Sequence, residues 1–249
     1  MELSEDQKNA IRQIANWLTY ESSQYITIGG FAGTGKTTII AELRKIIDKK
    51  YSNRKIGFCS YTGKAVRVLK TKLKEHNSLF KQDRIGTIHS LIYSPIENDK
   101  GVIVGWEQQE KLNVDLIFLD EASMVDESIW QDLLSYGVRI IAVGDHGQLP
   151  PIKGNTNIIS YPDVKLEKIH RQAANNPIIE ISKMAREDGY IPAGKYSSQV
   201  IKFDRKLEET GQDVEDLLRG YDENTMILCG YNSTRIKLNT TIRNFEEFE

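Results

Sequence analysis

No apolar run in this sequence approaches the roughly 20 residues that a membrane-crossing helix needs. The opening Met1-Glu2-Leu3-Ser4-Glu5-Asp6 has no basic n-region and no apolar h-region, so it does not read as a signal peptide. Cysteine is scarce. Cys59 and Cys229 lie far apart and cannot form a disulfide framework or a zinc knuckle. Both sit in apolar strand-like runs and read as buried free thiols, which points to a cytoplasmic protein. Positive charge is not in excess: 33 Lys and Arg face 35 Asp and Glu, for a net charge of −2. That excludes a protein that coats nucleic acid by bulk charge, though not one with a local basic groove. Internal repeats and low-complexity stretches are also missing. What remains is a 249-residue chain, 39% hydrophobic and 27% charged, able to bury a core.

Residues 4–20 read as a helix. Ser4 and Gln7 form a capping box, and Ala10, Ile11, Ile14 and Leu18 share a face. Strands are expected at Tyr25–Ile28, Ile56–Ser60, Leu116–Leu119 and Ile140–Val143, with helices over about 37–49 and 63–74 between them. This alternation predicts an α/β fold with a doubly wound, mostly parallel sheet, whose ligand sits beyond the carboxyl ends of the strands. Polar punctuation falls there: Gly30–Thr37, Thr62-Gly63-Lys64, Asp120-Glu121 and Gly144-Asp145. Residues 93–109, with an Asn98-Asp99-Lys100-Gly101 turn, read as an inserted β-hairpin. After residue 150 the character changes. A helix is expected over 177–188, a strand at Met226–Cys229 and a helix over about 233–244.

Gly30-Phe31-Ala32-Gly33-Thr34-Gly35-Lys36-Thr37 fits G-x-x-x-x-G-K-[ST] at every fixed position. Its glycines let backbone N–H groups converge on phosphate oxygens, and the helix that follows adds its positive end. The candidate nucleotide contacts are Gly30, Ala32, Gly33, Thr34, Gly35, Lys36, Thr37 and Thr38. Lys36 would reach the β- and γ-phosphates of ATP, and Thr37 would hold Mg²⁺. Asp120 and Glu121 follow an apolar strand, where carboxylates are costly unless they meet a cation. Asp120 is the second candidate Mg²⁺ holder and Glu121 the candidate general base. An adjacent Asp-Glu pair argues for hydrolysis over a kinase. Gln148, beyond another strand end, can donate to phosphate and accept from water.

In order, these segments resemble the superfamily I helicases, in their RecD-like/Dda-like branch, over about residues 3–239. Leu3–Ala10 is similar to the Q motif, in which Gln7 would read adenine. Gly30–Thr37 matches motif I, and Ser60-Tyr61-Thr62-Gly63-Lys64-Ala65 resembles motif Ia, usually A-P-T-G-K-A. Gly86–Leu91 matches motif Ib, Phe118–Met124 motif II and Val143–Ile152 motif III. Leu166–Gln172 resembles L-x-x-x-x-R-Q, whose arginine, here Arg171, faces the γ-phosphate. Motifs V and VI are absent, and Tyr61 replaces the usual proline.

The resemblance implies a first RecA-like ATPase domain over 1–92 and 110–175, interrupted by a pin hairpin at 93–109. A helical or irregular linker over 176–222 and the truncated start of a second RecA-like domain over 223–249 would follow. It also implies single-stranded DNA and single-strand/duplex junctions as partners, 5′-to-3′ movement, and roles in replication, recombination or repair. The candidate DNA contacts are Thr62, Lys64, Thr87, His89, Trp106 and Asn232. Thr62, Thr87 and His89 offer small donors suited to phosphate contacts. Trp106 either stacks on a base or packs within its hairpin, and both readings stay open. Two functions follow: an ATP-dependent helicase motor, its oligomeric state left open with a monomer as one option, or a nucleotide- and strand-binding module with little turnover and no unwinding.

Overall fold

The first helix, α1 (Glu5–Tyr20), starts at the expected capping box. Gln7 N donates to Ser4 Oγ at 3.4 Å, and Ser4 N donates to Gln7 Oε1 at 3.1 Å. Ala10, Ile14 and Trp17 are buried. The Arg139 guanidinium lies 3.8 Å over the Trp17 ring and donates to Trp17 O and Leu18 O, closing the helix. This geometry comes from a computed structural model, which describes residues 3–148, 151, 157–168 and 176–246. It falls into two compact units, 1–172 and 173–249.

In the first unit, β1 (Tyr25–Gly30) leads into α2 (Lys36–Lys50), β2 (Ile56–Ser60) into α3 (Gly63–Glu75), and β3 (Arg84–Thr87) into α4 (Ile88–Ile92). After the hairpin β4 (Tyr93–Glu97) and β5 (Ile103–Gln108) come β6 (Leu116–Asp120), α5 (Glu127–Ser135), β7 (Arg139–Gly144) and β8 (Val164–Leu166). Six strands form one sheet in the order β3-β2-β6-β7-β1-β8, and every pairing in it is parallel. Side chains alternate along a strand, so an unbroken apolar strand must feed two cores. In β6, Leu116 and Phe118 join Trp17, Ile39 and Leu73, while Ile117 and Leu119 join Ile92, Trp130 and Leu133. The α/β, doubly wound, parallel reading therefore holds. A buried ion pair ties α2 to the loop before β3: Arg44 Nε donates to Asp83 Oδ2 at 3.0 Å, and both side chains are fully buried.

The hairpin at 93–109 is present. Its tip is the Asn98–Gly101 turn, with Gly101 N donating to Asn98 O at 2.8 Å and Gly101 at φ +70°. Its base is rooted on α5. The Tyr93 hydroxyl donates to Asp132, and Gln108 Nε2 donates to Ser135 Oγ at 2.8 Å.

The second unit holds α6 (Pro177–Glu187), a two-strand ribbon of β9 (Gly194–Lys195) and β10 (Ile201–Lys202), α7 (Glu209–Arg219) and α8 (Asn232–Glu246). Two expectations are corrected here. Met226–Cys229 forms no strand, because this apolar run has no ladder to join and is exposed along its length. Cys229 is accordingly an exposed thiol, whereas Cys59 is buried as expected. Among the described residues, no helix is long and apolar enough to cross a membrane.

Candidate nucleotide site

The order β6-β7-β1 sets three carboxyl ends side by side, and the sequence's polar punctuation collects there. The loop from Gly30 to Lys36 turns through two left-handed glycines, Gly33 at φ +89° and Gly35 at φ +84°. A Cβ at Gly35 would lie 2.2 Å from Gln7 Nε2, and one at Gly30 would lie 2.5 Å from Thr34 Oγ1. Gly35 therefore needs glycine for its left-handed turn, and Gly30 for space, since Leu166 Cβ also lies 2.9 Å from the position its Cβ would take. Thr34 is buried and donates to Phe31 O at 2.9 Å, which fixes the loop from within. Lys36 and Thr37 open α2, whose free N–H groups face the concave side. The Lys36 ammonium donates to Gly30 O at 2.6 Å and Phe31 O at 3.2 Å. The loop carbonyls thus hold a charge that a phosphate could take over.

Gln7 arrives from α1 with its amide engaged at both ends. Oε1 accepts from Ser4 N, and Nε2 donates to Thr34 O at 3.1 Å. The structure thus places Gln7 against the phosphate loop, with one of its two amide N–H groups given to Thr34 O.

Opposite the loop, Asp120 ends β6 and Glu121 follows at φ +55°, a left-handed conformation that a side-chain-bearing residue rarely adopts. Burial pushes the Asp120 carboxyl up to about 6, the Glu121 charge pushes the same way, and Lys36 pulls against both. Glu121 Oε2 is buried without a hydrogen-bond partner. Two more buried atoms on this edge lack partners, Ser60 Oγ at the end of β2 and His146 Nδ1 in the loop after β7. In that loop Gln148 is exposed, and its Oε1 accepts from Ser123 Oγ at 3.0 Å, joining it to the turn that follows Glu121. Arg171 lies outside the described residues.

Sequence reasoning missed Ser123 and His146. His146 packs its ring 4.4 Å from Phe31 of the phosphate loop, and its Nδ1 would lie 3.1 Å from a Cβ on Gly29. The only sequence signal for either was proximity to a motif residue, Gln148 or Glu121.

A family model described as an AAA domain matches residues 7–154. The RecBCD subunit RecD of Buchnera aphidicola subsp. Schizaphis graminum is 31% identical over 205 residues, 74% of this chain and 33% of that protein. The ATP-dependent RecD2 DNA helicase of Deinococcus radiodurans is 30% identical over 188 residues, 72% and 23%. The chain belongs to the RecD-like branch of the superfamily I helicases. The crystal structure of Pif1 helicase from Candida albicans shares the fold, with a TM-score of 0.50, 18% identity and coverage of 100% of this chain and 55% of that one. This RecD-like chain spans a third or less of the two curated relatives named here.

On the same edge, Thr62 caps α3 by accepting from Ala65 N at 3.2 Å, with Lys64 exposed in the first turn. Thr87 caps α4 in the same way, accepting from Ser90 N at 3.2 Å. His89 lies half-buried with its ring 5.4 Å from Tyr93, at the root of the hairpin. Trp106 stands on β5 opposite Pro95, 53% exposed. The helix bearing Arg67, Lys70, Lys72 and Lys74 is a solvated face, with Lys72 paired to Glu75 at 2.7 Å. Asn232 opens α8 in the second unit and is exposed.

Proposed function

We propose that this chain carries the ATP-hydrolysing motor of a DNA helicase that moves on single strands, 5′-to-3′ by its branch. The observation that carries the reading is the convergence of a glycine-built phosphate loop with a half-buried carboxylate pair on an edge that, among the described residues, leaves three buried polar atoms unpartnered. Buried polar groups are normally satisfied, so this set fits a polar ligand. On binding, Lys36 leaves the loop carbonyls for the β- and γ-phosphates. Thr37 and Asp120 are the residues that would hold Mg²⁺, which when bound offsets the charge of the phosphates. Glu121 takes the proton of the attacking water, and Gln148, steadied by Ser123, orients that water. Arg171 supplies positive charge to the γ-phosphate. Gln7 reads adenine through its amide, which can donate and accept at once.

Thr62, Lys64, Thr87 and His89 form a strand track beyond β2 and β3, with Trp106 at the single-strand/duplex junction and Asn232 a further contact. Residues 223–249 belong to a second RecA-like domain, and the protein works in the cytoplasm. A second reading, a nucleotide- and strand-binding module with slow turnover, is favoured by one feature. Ile242 is the one buried side chain among the described residues of the second unit.

ATP turnover measured with and without single-stranded DNA separates the two readings. Stimulation of tenfold or more supports the motor, and binding of both ligands without stimulation supports the module. Lys36→Ala should abolish turnover with an unchanged circular dichroism spectrum. Turnover above a tenth of the parent's would remove the phosphate-loop assignment.

A further inference from the structure

Ser60 is the one residue of the unpartnered set that neither the phosphate loop nor the loops after β6 and β7 contain. It ends β2, is fully buried, and its Oγ has no hydrogen-bond partner. Written against A-P-T-G-K-A, it stands where the motif has alanine, so the hydroxyl is chemistry added in this chain. A hydroxyl taken out of water without a partner destabilises the fold, so an apolar residue of that size would serve better if packing were the only demand.

The sheet register shows what it faces. Ser60 pairs with Thr87 of β3 on one side and with Asp120 of β6 on the other. Directly paired residues in a parallel ladder project to the same face, so Thr87, Ser60 and Asp120 form one row along the carboxyl edge. Thr87 is engaged in capping α4, its Oγ1 accepting from Ser90 N and its carbonyl from Ser90 Oγ at 2.8 Å. Asp120 is the acidic member of the row, and a carboxylate accepts through both oxygens. A hydroxyl turns about a single bond, and the register sets Asp120 beside it on the same face of the sheet.

We propose that Ser60 is a positioning residue for Asp120. When a divalent cation and nucleotide are bound, the Ser60 hydroxyl donates to one carboxylate oxygen and leaves the other directed at the cation. A charge-assisted bond of this kind holds the carboxylate in a single orientation, which a flanking alanine cannot do. The proposal rests on the assignment of Asp120 as a cation holder.

The test uses Ser60→Ala, with Ser60→Cys as a second variant of nearly the same size and poor donor strength. Melting temperature is first measured without nucleotide and in the presence of chelator. Binding of a fluorescent non-hydrolysable ATP analogue is then followed against Mg²⁺ concentration. In both variants the melting temperature should be unchanged or higher. Analogue binding without Mg²⁺ should match the parent, and the Mg²⁺ concentration at half-saturation should rise by about three- to tenfold. An unchanged Mg²⁺ midpoint overturns the proposal. So does a lowered melting temperature together with loss of Mg²⁺-independent binding, which marks a purely structural hydroxyl. If the parent itself shows no Mg²⁺ dependence, the assignment of Asp120 fails and the proposal fails with it. A Ser60-specific failure differs, because there the parent responds to Mg²⁺ normally.

Discussion

Glu121 and Asp120 are adjacent but differ in environment, and the difference predicts different phenotypes. Glu121 sits in a left-handed turn with one buried oxygen unpartnered, ready to accept a proton. Glu121→Gln keeps the shape and removes the base. Hydrolysis should slow by roughly 10²–10⁴-fold with Mg²⁺-nucleotide binding retained. Lost binding would mean that the roles of the two carboxylates are reversed. Asp120 is held at about 6, above the ordinary 3.8, because burial opposes its charge. A raised acid pKa means that the folded state binds the proton more tightly than the unfolded state does. The penalty is thus absent below about pH 4, grows through the interval up to about 6, and is complete above it. Asp120→Asn should therefore raise the melting temperature of the nucleotide-free protein at pH 7.5, by the equivalent of about 1–3 kcal/mol. The gain should vanish near pH 4. A variant that melts lower than the parent at pH 7.5 would show that the carboxylate is satisfied in the resting protein.

At the scale of elements, the legible parts were those whose burial is written into adjacent residues. The apolar cores of β2, β6 and β7 match the expected runs to within a residue at each end, because a strand covered on both faces must be apolar throughout. β3 and β8 escaped notice. They are short, and β3, at the sheet's edge, reads Arg84-Ile85-Gly86-Thr87, which has no unbroken apolar run. Met226–Cys229 misled for the converse reason, since an apolar run becomes a strand only where a ladder accepts it. In the site, motif residues were legible by spacing. Ser123 and His146 were not, because their contacts with Gln148 and Phe31 arise from the meeting of loops distant in sequence.

The hairpin shows the same limit. Its turn was written in Asn98–Gly101, but its anchorage on α5 through Tyr93 and Gln108 was not. That anchorage leaves Trp106 half exposed on a ribbon that other contacts already fix. Trp106→Ala should therefore leave the melting temperature within about a degree of the parent's. A stacked base is worth about 1–3 kcal/mol. Affinity for a single-strand/duplex junction should thus fall at least about fivefold, with single-strand affinity less affected. Destabilisation with junction affinity unchanged would assign the ring to hairpin packing.

At the scale of the whole molecule, apolar burial is distributed very unevenly. Nearly every buried apolar side chain lies between Ala10 and Leu166, in the two layers that flank the parallel sheet. In the second unit, α6 and α7 bury no residue, while Met226 and Leu228 are 70% and 85% exposed. Hydrophobic burial is the main favourable term in folding, and local opening costs least where it is scarce. Trypsin should therefore cut the nucleotide-free protein first among Lys183, Arg186, Lys195, Lys202, Arg205 and Lys206, all outside the six-stranded sheet. A resistant piece containing residues 3–168 should remain. Nucleotide binds the folded first unit and stabilises it by mass action. Adding Mg²⁺ and a non-hydrolysable ATP analogue should thus slow digestion of that piece and raise its melting transition, leaving the rate of the early cuts unchanged. First cleavage at Lys64 or Lys111 would place the weak point inside the sheet unit. Equal protection of the early sites by nucleotide would show that the two units open together, so that burial within each does not decide its stability.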